Sequence, residues 1–64
     1  MNSLLEQNTE KFLNKLVTFE TSEGCYIGGV VTEIDDEDPN VLIITDKSGH
    51  EHYVNYQFRD VVVN

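Results

Sequence analysis

Two histidines in the C-terminal part of the chain have a spacing that could bind a metal ion. His50 and His52 are separated by one residue, so on a β-strand both imidazoles project from the same face. Imidazole nitrogens are common zinc ligands, but a zinc site needs at least three protein ligands. No third ligand for this pair is evident in the sequence. We therefore predict a surface hairpin here, and no metal site.

An acidic run in the middle of the chain has a spacing typical of a calcium-binding loop. Asp36, Asp38 and Asn40 stand at alternate positions, and hard cations favour several oxygens that converge on one turn. Such a loop needs glycine at its sixth position and a bidentate glutamate at its twelfth, where this chain has Val41 and Lys47. An EF-hand is therefore excluded. The run is interpreted as a solvated loop, with weak divalent-ion binding as the alternative.

Side chains that could act as nucleophiles are present, but partners for them are not. Ser22, Cys25 and Ser48 lie in none of the motifs that combine a nucleophile with a base and an orienting group. No glycine-rich loop of the kind that binds phosphate occurs. The sequence therefore predicts a binding or structural protein that is not an enzyme and needs no cofactor.

Length and charge restrict the possible functions. A chain of 64 residues forms one small domain with a modest core, and a single cysteine excludes an internal disulfide. The sequence has no secretory signal and no run of about 18 apolar residues, so we expect a cytoplasmic protein that does not enter the membrane. Twelve acidic and four basic residues give a net charge of −8, which opposes the electrostatic attraction that normally drives nucleic-acid binding.

The hydrophobic pattern predicts one helix followed by five strands. Ser3 and Glu6 form a capping-box signature, and apolar residues recur at helical spacing through about residue 15. Between about residues 16 and 63, β-branched and aromatic residues form five short stretches separated by turn residues. These stretches are residues 16–21, 25–35, 41–45, 50–54 and 58–63.

Two glycines and an aspartate around the second stretch have distinct structural roles. Gly24 supplies the positive φ of a tight hairpin turn, and Gly29 lets a long strand bend or bulge. Asp35 then ends the strand. A bent second strand among five short ones predicts a small, strongly curved antiparallel barrel that follows an N-terminal helix.

The spacing of these residues resembles the first sequence motif of the Sm and Sm-like proteins, which include bacterial Hfq. Gly29 follows Gly24 by five residues, Asp35 follows Gly29 by six, and Asn40 comes soon after. The resemblance extends over nearly the whole chain. It implies a single domain, residues 1–64, with the five-stranded Sm-like (SH3-like) barrel and the N-terminal helix.

The resemblance also implies a ring of identical subunits. In the family, the fourth strand of one subunit pairs with the fifth strand of its neighbour. Val61, Val62 and Val63 form an apolar strand with no following element to cover it, and such an edge favours pairing with another chain. The alternative is a last strand that pairs only within its own subunit.

The family's RNA-binding loops indicate four candidate residues. Sm proteins carry Arg-Gly, and Hfq carries Lys-His, before the last strand, where this chain has Arg59-Asp60 and Asn55-Tyr56. By resemblance, Asn40 would hydrogen-bond a base edge and Tyr56 would stack on a base. Asn55 would be a polar partner, and Arg59 would provide a cation or a guanidinium stack.

Three of these candidates also have a structural interpretation. Asn40 would cap a turn, and Tyr56 would pack on the barrel. Arg59 would pair with a nearby carboxylate, that of Asp60 or Asp35.

Two functions from different classes therefore follow from the resemblance and the charge. The first is a ring that binds single-stranded RNA or acts as an RNA chaperone. The second is an acidic structural ring that scaffolds protein partners and binds no nucleic acid. Asp38 favours the second, because it occupies a position where several family members carry a base-stacking side chain, and its carboxylate would repel phosphate.

Overall fold

A computed structural model describes residues 3–64 and shows a mainly β protein with an N-terminal helix. The five strands form one sheet in which all neighbouring strands are antiparallel. The predicted fold class is thereby confirmed. The elements are α1 (Leu4–Phe12), β1 (Leu16–Glu20), β2 (Tyr26–Ile34), β3 (Val41–Asp46), β4 (Glu51–Asn55) and β5 (Val61–Val63).

Helix α1 begins at the predicted cap but ends before residue 15. The Ser3 hydroxyl oxygen accepts a hydrogen bond of 3.1 Å from the backbone N–H of Glu6, as an N-cap does. Asn14 adopts a φ of 62°, a left-handed conformation that asparagine tolerates better than most residues. Its N–H donates to the Val31 carbonyl at 2.7 Å, so the chain turns from the helix directly onto the sheet.

The strand order is β4-β3-β2-β1-β5, which makes β4 and β5 the two edge strands. The sheet is strongly curled. The rings of Phe19 on β1 and His52 on β4 have centroids 5.1 Å apart, although β2 and β3 lie between them. Because adjacent strands are about 4.8 Å apart, three strand spacings in a flat sheet would separate them by about 14 Å. The sheet therefore curls around the core, with β4 and β5 as its two unpaired edges within the described residues.

A β-bulge lies in the second half of β2. Val31 and Glu33 lie opposite consecutive residues of β3, so Thr32 is an extra residue in the ladder. A bulge of this kind increases the local twist and bends the strand. It lies three residues beyond Gly29, where the sequence predicted a bend or bulge. Gly29 itself pairs in register with both neighbouring strands.

The positive φ predicted at Gly24 is present, and a second tight turn contains another glycine with positive φ. Gly24 has a φ of 85° in the β1–β2 turn, and Gly49 has the same φ between β3 and β4; this is the left-handed conformation that glycine adopts without strain. Asp35 follows the last residue of β2, and its N–H donates to the Val41 carbonyl at 3.1 Å. The second strand therefore ends where the sequence predicted.

The core lies between the curled sheet and α1. Alternation along the strands sends one face of each inward, and Phe12 of the helix covers the group. No helix within residues 3–64 is long and apolar enough to cross a membrane. The buried cluster consists of Phe12, Val17, Phe19, Val31, Ile34, Leu42, Ile44 and Val54.

Candidate functional site

The two loops that contain the candidate RNA-binding residues lie together at one end of the sheet. The β2–β3 loop includes Asn40, and the β4–β5 segment begins at Tyr56. The backbone N–H of Tyr56 donates to the Asn40 carbonyl at 3.2 Å, and Val41 pairs with Asn55 in the β3–β4 ladder. The topology therefore brings Asn40, Asn55 and Tyr56 to one surface, with Arg59 four residues after Asn55 in the same segment.

Tyr56 is half-buried and has a packing role. Its ring centroid lies 5.2 Å from that of Phe12, and its hydroxyl oxygen accepts a hydrogen bond of 3.0 Å from the Asn8 side chain. The packing interpretation of Tyr56 is thus present in the structure. One face of the ring is turned toward α1, so any base could stack only on the remaining exposed surface.

Asn8 holds the helix against both candidate loops, a role that the sequence analysis did not assign. It is 4% exposed and is the one buried polar residue in the described chain. Its amide donates to the Pro39 carbonyl at 2.7 Å as well as to Tyr56. A signal was present, because Asn8 lies between Leu5 and Phe12 at helical spacing on the apolar face. A polar residue in that stripe indicates a buried hydrogen-bonding partner.

Asn40 lies in a turn that Asp38 organises. The Asp38 carboxylate accepts a hydrogen bond of 3.2 Å from the Asn40 backbone N–H, and the Asp38 carbonyl accepts one of 2.8 Å from Val41. The Asn40 side chain makes no hydrogen bond within residues 3–64. Its amide is therefore available to a ligand, although a carboxylate stands two residues away.

Asn55 and Arg59 differ in whether their side chains form polar contacts within the described residues. The Asn55 side-chain oxygen accepts a hydrogen bond of 2.9 Å from the Gln57 backbone N–H. The Asn55 backbone carbonyl accepts hydrogen bonds from the N–H groups of Phe58 and Arg59. Asn55 is thus a turn-capping residue. The half-buried Arg59 has no ion pair in the described part of the chain, so its predicted pairing with Asp60 or Asp35 does not occur.

Asp60 is instead bound to a tyrosine across the sheet. The Tyr26 hydroxyl donates to the Asp60 carboxylate at 2.8 Å. This hydrogen bond, the charge of Asp60, partial desolvation and the charge of Glu20 raise the pKa of Tyr26 above its ordinary value. The contact links β2 to the residue before β5, and within residues 3–64 Arg59 forms no salt bridge.

Large apolar side chains are exposed along the edges of the sheet. Val62 on β5 is 58% exposed, Tyr53 on β4 is 67% exposed, and Phe58 in the segment between them is 81% exposed. The exposed valine strand was predicted from the sequence, but the exposure of Tyr53 and Phe58 was not. β5 pairs with β1 through Val61, Val62 and Val63, and its other edge is open.

The His50–His52 hairpin contains an acidic partner from β3. Asp46 Oδ2 lies 2.8 Å from His52 Nε2 and 4.0 Å from His50 Nδ1. Asp46 Oδ1 accepts from the backbone N–H groups of Ser48 and His50 at 2.8 and 3.0 Å. The hydrogen bond from His52 and those from the backbone lower the pKa of Asp46. Within residues 3–64, no group of three or more His, Cys, Asp or Glu side chains is arranged to bind a metal ion.

Comparison with known proteins adds no relative to this geometry. No protein-family model, no curated protein and no solved structure matches the chain. The resemblance to Sm-like proteins therefore rests on the motif spacing in the sequence.

Proposed function

We propose that this protein is a subunit of an Sm-like ring of identical subunits that binds single-stranded RNA or acts as an RNA chaperone. It is a binding module and not an enzyme. The observation that supports the ring is the position of β4 and β5 at opposite ends of the strand order, each with exposed apolar side chains. Open edges of this kind pair readily with another chain, and a closed ring removes all of them.

The faces of the two edge strands are compatible with such pairing. Val61 and Val63 lie opposite the buried Phe19 and Val17, on the same face of the sheet, and Val62 lies on the other face. Val61 packs against the core, whereas Val63 is 40% exposed. On β4, Val54 lies opposite the buried Leu42 and faces the core, so the adjacent Tyr53 faces outward. Pairing β4 of one subunit with β5 of the next would extend one core between the subunits and bring the outward Tyr53 and Val62 surfaces together.

The ring is tested by measuring mass in solution with light scattering. The wild-type protein at micromolar concentration should show a stable multiple of 7.3 kDa. Val62→Lys should dissociate it, because a charge would lie in the paired edge. Leu16→Lys is the matched control, since Leu16 is similarly exposed at 63% but lies on an interior strand. A wild-type monomer, or equal masses for the two variants, would contradict the proposed interface.

The RNA-binding function is supported by the gathering of the four candidate residues on one surface. Within residues 3–64, the Asn40 side-chain amide makes no hydrogen bond and the Arg59 guanidinium forms no ion pair. Tyr56 contributes only its exposed part, and Asn55 mainly shapes the turn. With a net charge of −8, affinity must come from base contacts. The salt dependence should be shallow, with a log–log slope of about −1 per site.

Fluorescence anisotropy with short uridine-rich and adenine-rich oligomers tests RNA binding. Arg59→Ala should weaken binding and flatten the salt dependence, because the phosphate contact is lost. Lys47→Ala removes the same charge from the β3–β4 turn, at the other end of β3, and should leave binding unchanged. Asp38→Asn should strengthen binding by removing a repulsive carboxylate. Equal losses in Arg59→Ala and Lys47→Ala would contradict a site at this surface.

A second function, an acidic ring that scaffolds protein partners, is favoured by the packing of Tyr56 against α1. The Tyr56 ring, which the family resemblance assigns to base stacking, is therefore partly covered by α1. If neither the parent nor Asp38→Asn binds RNA at tens of micromolar protein in about 50 mM salt, the scaffold is the function. In either case we place the protein in the cytoplasm, where the exposed thiol of Cys25 stays reduced.

A further inference from the structure

Phe58 is the most exposed large apolar side chain of residues 3–64, with 81% of its surface accessible to solvent. It lies in the turn of residues 56–59 between β4 and β5. Within the described chain its ring contacts no other aromatic ring and no cation. A single exposed apolar residue needs no explanation by itself, so a role for Phe58 has to come from its surroundings.

The backbone on both sides of Phe58 is fixed by hydrogen bonds. The Asn55 carbonyl accepts from the N–H group of Phe58 at 3.0 Å and from that of Arg59 at 3.1 Å. Two residues after Phe58, the Asp60 carbonyl accepts from the N–H group of Glu20 on β1 at 3.0 Å. The exposed ring therefore stands on a preformed turn. A ligand that binds there does not have to order the loop first, which lowers the entropic cost of binding.

Two polar side chains near this turn are without partners in residues 3–64. Arg59, the next residue along the chain, forms no ion pair, and the side chain of Asn40 makes no hydrogen bond. Asn40 is held beside the turn, because its carbonyl accepts a hydrogen bond of 3.2 Å from the N–H group of Tyr56. An aromatic face stacks on a nucleobase, an amide bonds its edge, and a guanidinium contacts the phosphate. The turn thus combines three groups suited to one nucleotide.

We propose that Phe58 is the side chain on which an unpaired base of single-stranded RNA stacks. This inference rests on the proposed RNA-binding function and assigns the stacking to Phe58 and not to Tyr56, because α1 covers one face of the Tyr56 ring. Stacking requires no charge on the protein, so it suits a chain of net charge −8. Pairing between subunits does not require the Phe58 ring, since Phe58 lies outside both edge strands, Glu51–Asn55 and Val61–Val63.

Fluorescence anisotropy with a short uridine-rich or adenine-rich oligomer, whichever the wild-type protein binds more tightly, compares three variants of Phe58. Phe58→Ala should weaken binding about 5- to 150-fold, the value of one stacked base. Phe58→Leu keeps an apolar side chain but no aromatic face, and should weaken binding at least about fivefold. Phe58→Tyr keeps the ring and should bind like the wild-type protein. The side chain is exposed, so all three should fold normally. Wild-type affinity in Phe58→Ala or Phe58→Leu would overturn the proposal.

Tryptophan fluorescence detects the stacked base directly. The chain contains no tryptophan, so Phe58→Trp places a single indole at the turn. A base that stacks on the indole should quench its emission during titration with the oligomer, with the midpoint that anisotropy gives. Leu16→Trp is the matched control, since Leu16 is 63% exposed but lies beside Asn64, at the other end of β5. Equal quenching in the two variants, or bound RNA without quenching in Phe58→Trp, would overturn the proposal.

The same measurements separate failure of this inference from failure of the proposed function. If the wild-type protein binds RNA and Phe58→Leu binds it equally well, the stacking role of Phe58 is wrong and the RNA-binding function stands. If neither oligomer binds the wild-type protein, both are wrong. Light scattering identifies a ring covered by a neighbouring subunit: a lower mass for Phe58→Ala than for the wild-type protein would assign Phe58 to the subunit interface and overturn its role in stacking.

Discussion

Adding a single methyl group at Gly29 should lower the free energy of unfolding by a large amount for so small a change. A Cβ built on Gly29 would lie 2.7 Å from Ile44 Cγ2 and 2.8 Å from the Thr45 carbonyl oxygen. Favourable contacts between carbon atoms lie at about 3.5–4.0 Å. Ile44 is fully buried, and Thr45 lies in β3, which is paired on both sides. Neither atom can move away without disturbing the sheet.

The magnitude follows from this crowding. Overpacking of a well-packed core costs about 1–3 kcal/mol, and replacing glycine by alanine returns about 0.4–1 kcal/mol of backbone entropy where the site is open. We therefore expect Gly29→Ala to lower the free energy of unfolding by about 1–2 kcal/mol, and Gly29→Val by more. For a domain of this size, 1 kcal/mol corresponds to about 4–8 °C in Tm.

Gly28 provides the matched control. A Cβ there would meet only the Val17 carbonyl oxygen, at 3.8 Å, which is an ordinary contact. Gly28→Ala should therefore be neutral or stabilising. The measurement is urea unfolding followed by circular dichroism, at one protein concentration, because assembly makes stability depend on concentration. Equal stability of Gly29→Ala and Gly28→Ala would contradict the close approach of β2 and β3 at Gly29.

Two further predictions concern polar contacts. Asn8→Ala should lower the free energy of unfolding by about 1–3 kcal/mol, because it removes the donor to Pro39 and Tyr56. The control is Glu10→Ala, at an exposed position of the same helix, which should change the free energy of unfolding little. Equal urea midpoints for the two variants would contradict the role of Asn8. Asp60→Asn should move the ionisation of Tyr26, followed by its ultraviolet absorbance, to lower pH, since Asp60 is the main cause of its raised pKa. Because that pKa is raised, the stabilisation from this contact is fully present below the ordinary tyrosine pKa and is lost as the pH rises through the raised pKa of Tyr26. An unchanged titration in Asp60→Asn would exclude the contact in solution.

Features determined by neighbouring residues were predictable from the sequence. The cap at Ser3, the positive φ at Gly24 and the order of one helix and five strands follow from local chemistry and from hydrophobic periodicity. The last strand is shorter than predicted, because residues 56–59 form a turn in which the N–H groups of Phe58 and Arg59 donate to the Asn55 carbonyl. Backbone bonds of that kind override the β-propensity of the side chains.

Contacts between distant residues were not predictable in the same way. Asp46 and His52 are six residues apart but meet across a β-hairpin, and the position of the bulge at Thr32 depends on the pairing with β3. The hydrogen bond between Asp46 and His52 was therefore not predicted from the sequence. Its role becomes evident only once the hairpin register is known, since the register determines which side chains face each other.

Tyr56 is compatible with two interpretations, base stacking and packing within the fold, and its contacts distinguish between them. The family resemblance assigns it to base stacking, but the buried amide of Asn8 needs an acceptor, and the Tyr56 hydroxyl provides it. Without the Tyr56 hydroxyl, one N–H of that amide would lose its acceptor while the other kept the Pro39 carbonyl. The unpaired N–H would cost about 1–3 kcal/mol, comparable to the 1–3 kcal/mol that one stacked base contributes. Because the folding role operates whether or not RNA is present, the fold alone accounts for a tyrosine at this position. Arg59 has no such structural partner in residues 3–64, and it is therefore the residue whose substitution best separates the RNA-binding function from the scaffold.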